Sequence, residues 1–407
     1  MKNICLITLS LICFQTKAQR IRTELISNHI AYLSSDELGG RATSTAEEKK
    51  AAAYIEDQFK GMRLIPKGTK GYTYDFTYKY NPKVHDTNTT AIKAKTGRNV
   101  IGFLDNGRPY TVVIGAHYDH LGYGHDHNSL DPKPENKIHN GADDNASGVA
   151  GVIELARYFS LNGVRENYNF LFMTFSGEEL GLIGSKKWCE HPTYPLSNIN
   201  YMINLDMIGR FEKDKNVLIY GVGTSLQWIQ DIEAVHPSFP VKYDSAGIGP
   251  SDQTSFYLMN IPVLHFFTGQ HSDYHKPTDD FNKINAVGET NILEMIIDLV
   301  YHMDGKDKLS FLKTKDTESR KTSFKITMGV MPDYVFDGIG MRIDGVTDGK
   351  PAAKAGLEQG DIILQIGDSE VSDVQGYMKI LNTLNKGDLK KVIIERKGTR
   401  LEKEVQF

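Results

Sequence analysis

Residues 111–116 (TVVIGA) form a short, wholly apolar run rich in β-branched side chains. Residues 169–175 (NFLFMTF), 200–205 (NYMINL) and 261–267 (IPVLHFF) have a similar texture. Runs of this length without polar alternation predict central strands buried on both faces. Helical patterns fill the spaces between them, at 147–160, 180–189, 225–235 and 284–303. Strands alternating with helices predict an α/β domain with a mixed, mostly parallel central sheet flanked by helices on both faces. Upstream, Ser44-Thr45-Ala46-Glu47 fits a capping box that opens an Ala-rich amphipathic helix running to about Lys60.

The texture changes after Met303. Residues 306–322 are rich in Lys, Asp, Ser and Thr and poor in apolar side chains, so they are expected to form a linker. From 323 to 407 short strands, glycine turns and one helix near 374–384 predict a second, smaller domain. The larger domain is placed at 19–305.

The first eighteen residues stand apart. Lys2 supplies a positive start, residues 4–14 are almost wholly apolar, and Thr16-Lys17-Ala18 offers a small-residue cleavage site. This predicts a signal peptide at 1–18 and an exported chain, periplasmic or extracellular. Lipid attachment at Cys13 fits less well, because bulky Ile12 precedes it. Cleavage would remove Lys2 and Lys17, moving the formal charge from −4 to −6, and would leave Cys189 as the one cysteine. A disulfide scaffold is thereby excluded. With 51 acidic against 47 basic residues, the chain lacks the basic excess expected of a nucleic-acid or polybasic membrane binder. No later segment is apolar for long enough to span a bilayer.

The chemistry gathers at the ends of the predicted strands. His117 and Asp119 follow the first run, Glu178 and Glu179 the second, Asp206 ends the third, and His275 lies beyond the fourth. Open α/β sheets bind ligands just past the carboxyl ends of their strands. A further loop, GADDNASG at 141–148, leads into a helix. A single acid or histidine at a strand end carries little weight; four strands and a loop delivering metal-ligand residue types to one edge carry much more. Two zinc ions sharing a carboxylate need five residues. His117, Asp144, Glu179, Asp206 and His275 supply that number: His117 and Asp206 on one ion, Glu179 and His275 on the other, Asp144 between. Asp119 is expected to accept the second imidazole N–H of His117. Glu178 is left to take a proton from the attacking water and pass it to the leaving amine.

His117-Tyr118-Asp119-His120, GADDNASG, SGEELGLIGS at 176–185, NLDMIGR at 204–210 and Tyr274-His275-Lys276-Pro277-Thr278-Asp279 resemble the motifs of metallopeptidase family twenty-eight. That family holds bacterial di-zinc leucyl-type aminopeptidases and carboxypeptidase-like enzymes, and is related to glutaminyl cyclases. The resemblance covers roughly 90–305. It implies two zinc ions, the zinc exopeptidase fold, and hydrolysis of the peptide bond beside a free N-terminus. It places the five ligands and the general base on the same residues, puts the shared carboxylate at Asp144 rather than Asp143, and makes Tyr274 a donor to the oxyanion. A carboxypeptidase would need cations to grip its substrate, for which Arg210 and Lys276 are available; a cyclase commonly uses one zinc; a non-catalytic peptide binder would have lost ligands or Glu178.

The stretch 121–140 departs from the pattern as a long polar insert containing His125, His127 and His139, expected to be a surface loop without a ligand role. Asp252 is expected either to meet the substrate ammonium or to cap a helix at 253–259. Cys189 is given no function. In the second domain, Phe336 to Ile343, Lys350 to Leu357 and Gly360 to Gly367 resemble a bacterial PDZ domain. That implies a peptide C-terminus as partner, held by the loop Gly338, Ile339, Gly340 and Met341.

Overall fold

A computed structural model describes residues 20–80, 93–125, 129–131, 133–134, 136–212, 215–314, 326–332, 338–346, 349–372, 374–381 and 383–407. The expected signal peptide, Cys13, His127, residues 315–322 and Phe336–Asp337 lie outside them.

The larger domain begins with helices α1 (Thr23–Leu33) and α2 (Ala46–Gly61). Strands β1 (Ile65–Pro66), β2 (Thr73–Tyr80), β3 (Lys93–Leu104) and β4 (Thr111–His117) follow. Helix α3 (Gly148–Leu161), β5 (Asn169–Phe175), α4 (Ile183–Glu190) and β6 (Ile199–Leu205) come next. The domain ends with β7 (Val217–Tyr220), α5 (Trp228–Ala234), β8 (Val241–Asp244), α6 (Gln253–Tyr257), β9 (Val263–Phe267) and α7 (Ala286–Met303).

Nine strands form one sheet in the order β1-β3-β5-β4-β6-β9-β7-β8, with β2 also paired to β3. The four central strands, β5, β4, β6 and β9, are parallel to one another. Their flanks differ: β1, β2 and β3 attach antiparallel, and β7 meets β9 antiparallel. The parallel character is thus a property of the centre, where every residue of each strand is buried. Those are the apolar runs visible in the sequence. Their burial on both faces lets helices α1, α3, α5 and α7 cover one side, in a core with Phe59, Trp228 and Leu299. Trp188, Phe256 and Phe175 pack on the other.

The cap of α2 lies one residue later than the sequence suggested. Thr45 caps the helix by accepting the N–H of Glu48, and the Glu48 carboxylate accepts the N–H of Ser44. Glu48 wins the position because its carboxylate is buried and also accepts from Arg98 N–H and the Ser176 hydroxyl. The expected linker is also engaged over its first part. Leu309 is buried in the core, Leu312 N–H donates to the Thr224 carbonyl at 2.8 Å, and Tyr257 Oη lies 3.0 Å from Thr314 Oγ1.

The second domain contains β10 (Val330–Pro332), β11 (Met341–Val346), α8 (Pro351–Lys354), β12 (Ile362–Ile366), β13 (Ser369–Glu370), α9 (Val374–Leu381), β14 (Leu389–Arg396) and β15 (Thr399–Gln406). Its six strands form a sheet over a separate core that includes Met341, Ile363, Leu381 and Val392. In the expected carboxylate loop, Ile339 is exposed, while Gly340 N–H already donates to the Ser372 carbonyl at 3.0 Å. No helix among the described residues is long and apolar enough to cross a membrane.

Candidate metal centre

The parallel strands bring their C-terminal ends to one edge, and the side chains singled out in the sequence meet there. His117 ends β4, and Glu178 and Glu179 follow β5 through a turn at Gly177, whose φ of +73° favours glycine. Asp206 follows β6, and His275 sits in the loop after β9. Asn145 ties the GADDNASG loop to this edge: its side-chain amide donates to the Leu205 carbonyl at 3.0 Å and its oxygen accepts Met207 N–H at 3.1 Å. One oxygen of Asp279 accepts the N–H groups of both Asp143 and Asp144, at 2.9 and 3.0 Å. The Asp143 side chain turns away to accept Gly209 N–H at 2.7 Å and to face His271 at 3.2 Å. The Asp144 carboxylate is the one that faces the histidines.

Asp144 Oδ1 lies 3.4 Å from His117 Nε2, and Asp206 Oδ1 lies 3.4 Å from that same nitrogen. Asp144 Oδ2 lies 3.3 Å from His275 Nε2, which is 3.0 Å from Glu179 Oε2. Tetrahedral zinc with bonds of about 2.0–2.1 Å sets neighbouring donor atoms about 3.3 Å apart. Two sets of ligand-type atoms therefore share Asp144 and have spacings suited to a cation in each. Two triads of mutually close donor atoms also share it: His117, Asp144 and Asp206, and His120, Asp144 and Glu179.

The electrostatics point the same way. Burial opposes charge on His117 and His275, yet the carboxylates around them, Asp206 and Glu179 foremost, hold both pKa values well above the usual imidazole range. Burial would raise Glu179, but His275 and His120 hold it well below the ordinary carboxylate range. Glu178 shifts upward: burial pushes it up and Glu179 and Asp206 add to this, against the pull of His117. A largely buried site with this many acids calls for cations, and imidazole with carboxylate oxygen is a donor set that zinc accepts.

The other expectations divide. Glu178 faces the cleft, and its N–H donates to Asp119 Oδ1 at 3.2 Å. Asp119 does not hold the His117 ring with its carboxylate. The nearer partner of His117 Nδ1 is the Asp119 backbone carbonyl, at 3.1 Å, while Oδ1 is 3.8 Å away. The Asp119 carboxylate instead accepts from Thr43 and from the backbone of Glu178, because the chain leaves the strand after His117 and turns it toward them. Tyr274 stacks on His275, with ring centroids 3.9 Å apart. Asp252 is fully buried, makes no side-chain cap bond, and does not line the cleft, so it fits neither expected role. Cys189 is buried, which raises its thiol pKa.

The insert is more than a surface loop. His125 is exposed and stacks with Tyr123, but His139 is fully buried and bonded to Ser129. Two further residues were overlooked in the sequence. His120 contacts Glu179 at 2.7 Å. Fully buried Arg41 donates to the carbonyls of Tyr118, Leu33, Asn140 and Gly141. The adjacency of His120 to the HYD motif was a signal; nothing near Arg41 in sequence marks it.

The cleft, taken out to its open mouth, has a volume of about 520 Å³. Beside the acids and histidines named above, Met207, Pro250, His265, Phe267, Gln270 and Tyr274 line it, with no lysine or arginine among the described residues. Arg210 is held by Asp273 and Asp279, and Lys276 by the Ser272 carbonyl.

Residues 99–300 match the family model described as Peptidase family M28, and residues 309–407 match the PDZ domain model. Aminopeptidase YwaD of Bacillus subtilis is 25% identical over 234 residues, covering 54% of this chain and 47% of that protein. The chain spans under half the length of the first curated relatives it matches. An aminopeptidase structure from Aneurinibacillus sp. strain AM-1 aligns with a TM-score of 0.54 at 20% identity, over 72% of this chain and 97% of that one. Glutaminyl cyclase of Porphyromonas gingivalis aligns with a TM-score of 0.54 at 15% identity, over 70% of this chain and 100% of that one. At these identities the likeness shows the zinc exopeptidase fold.

Proposed function

The chain belongs to peptidase family M28, with a PDZ domain behind the peptidase domain, and we propose that it is an exported aminopeptidase working with two zinc ions. In this reading His117 and Asp206 would hold one ion and Glu179 and His275 the other, with Asp144 as the carboxylate shared by both sets. Zinc bound there would supply Lewis acidity and lower the pKa of its water to about 7. The remaining steps belong to the chain. Glu178, facing the cleft, accepts the proton of the attacking water and delivers it to the departing amine. The Tyr274 hydroxyl donates to the oxygen of the carbonyl as it gains negative charge.

The observation that carries the choice of an N-terminal substrate is the lining of the cleft, which among the described residues includes four acids, Asp144, Glu178, Glu179 and Asp206, and no lysine or arginine. A cleft without a cation of its own suits a substrate ammonium better than a substrate carboxylate. A carboxypeptidase needs a cation there, and both candidates, Arg210 and Lys276, are engaged elsewhere. A cyclase on this fold is the second alternative, and the five-residue set around a shared carboxylate supports hydrolysis over it. The PDZ domain would bind a peptide C-terminus.

The test is cleavage of a mixed peptide set beside N-acetylated controls. Release of N-terminal residues that stops on acetylation is expected; release from the C-terminus, or indifference to acetylation, contradicts the reading.

A further inference from the structure

His120 lies three residues beyond His117, with its side chain wholly buried. Its Nδ1 is 2.7 Å from Glu179 Oε1 and 3.8 Å from Asp144 Oδ2. Its other ring nitrogen is buried with no hydrogen-bond partner among the described residues. The slot is closely built. A Cβ on Gly141 would come within 2.5 Å of the ring carbon Cδ2, and the His275 ring stands edge-on at 5.8 Å.

Two roles are open to an imidazole so placed, as a ligand or as a support, and distance separates them. The four histidine–carboxylate spacings of 3.4, 3.4, 3.3 and 3.0 Å lie near the value of about 3.3 Å for two donors on one zinc. The 2.7 Å contact of His120 falls short of it and has the length of a hydrogen bond to a charged acceptor. Nδ1–H therefore donates to Glu179 Oε1, and Glu179 Oε2 is left beside His275.

We propose that His120 is a positioning residue of the second metal site: through Nδ1–H it fixes Glu179 so that one carboxylate oxygen faces the cation, and it does not ligate. This rests on the metal roles given under Proposed function. His120 would also make the two sites unequal, since among the described contacts only the second has a histidine outside the five assigned ligands bonded to its terminal carboxylate.

The test compares wild type with His120→Leu, which keeps bulk and removes the donor, and with His120→Asn, whose amide nitrogen can take the place of Nδ1. Zinc per chain is counted after dialysis, and each ion's affinity is measured by chelator competition. His120→Leu is expected to lose about 10–100-fold in affinity for one ion only, while still binding two at saturating zinc. His120→Asn should recover most of that loss. Unchanged affinities in His120→Leu overturn the proposal, and so does a site that cannot be filled in His120→Leu or His120→Asn at saturating zinc, which is the mark of a lost ligand. Wild type binding fewer than two ions overturns the metal assignment itself and the proposal with it.

Discussion

The backbone N–H of Leu130 donates to the carbonyl oxygen of His275 at 2.9 Å. The Ser129 hydroxyl lies 3.3 Å from that same oxygen and 2.7 Å from Nε2 of buried His139. His275 has φ of +54°, a left-handed conformation that a histidine holds only where its surroundings impose it. The insert is therefore a brace on the loop that carries this histidine. His139→Ala removes a buried ring and the anchor of Ser129, and should cost about 2–3 kcal/mol. A urea titration checks this; a midpoint equal to that of wild type would remove the brace from the account.

Arg41 is a second fastening. Its guanidinium joins the carbonyls ending α1 to those before and within the GADDNASG loop, and burial lowers its pKa to about 10 despite the nearby carboxylates of Asp144 and Asp119. Arg41→Met would leave buried carbonyls without donors and should cost about 3–5 kcal/mol. Arg41→Lys should rescue little, because an ammonium lacks the planar fork. Denaturant midpoints decide: Arg41→Met within about 0.5 kcal/mol of wild type contradicts this.

Glu289, on α7, is fully buried, and neither carboxylate oxygen has a partner among the described residues. Burial pushes its pKa well above the ordinary range, helped by Asp143. The folded protein then keeps a proton that the unfolded chain gives up above about pH 4.3. This contribution lowers stability as pH rises past that point, by at most about 1.4 kcal/mol per pH unit. Glu289→Gln should therefore be more stable than wild type at pH 7–8, with the gap closing toward pH 4. Stability curves for the two proteins that run parallel across this range would contradict the sign.

Tyr274→Phe tests the oxyanion donor. The stacking on His275 should survive the change, so zinc content and KM should hold, while kcat falls about 10²-fold. A fall confined to KM would place the hydroxyl in substrate binding instead.

What the sequence disclosed and what it withheld divide by range. Strands β4, β5, β6 and β9 were legible because each is buried along its whole length, so its apolar run needs no partner to be noticed. The residues at their ends were legible because parallel strands place all such ends on one edge. His120 and Arg41 escaped because their roles come from contacts with Glu179, 59 residues on, and with carbonyls up to 100 residues away. Asp119, two residues beyond His117, would lie on the same side of the chain only if the strand continued, and β4 ends at His117. The brace formed by the insert depends on a bond spanning 146 residues, from Ser129 to His275, which no local pattern contains.

The most direct test is the number of zinc ions that stay with the purified chain after dialysis, measured beside Asp144→Ala. Two ions per wild-type chain and at most one in the variant are predicted. A wild type with no tightly held zinc, or a variant that keeps both ions, contradicts a centre built around that carboxylate.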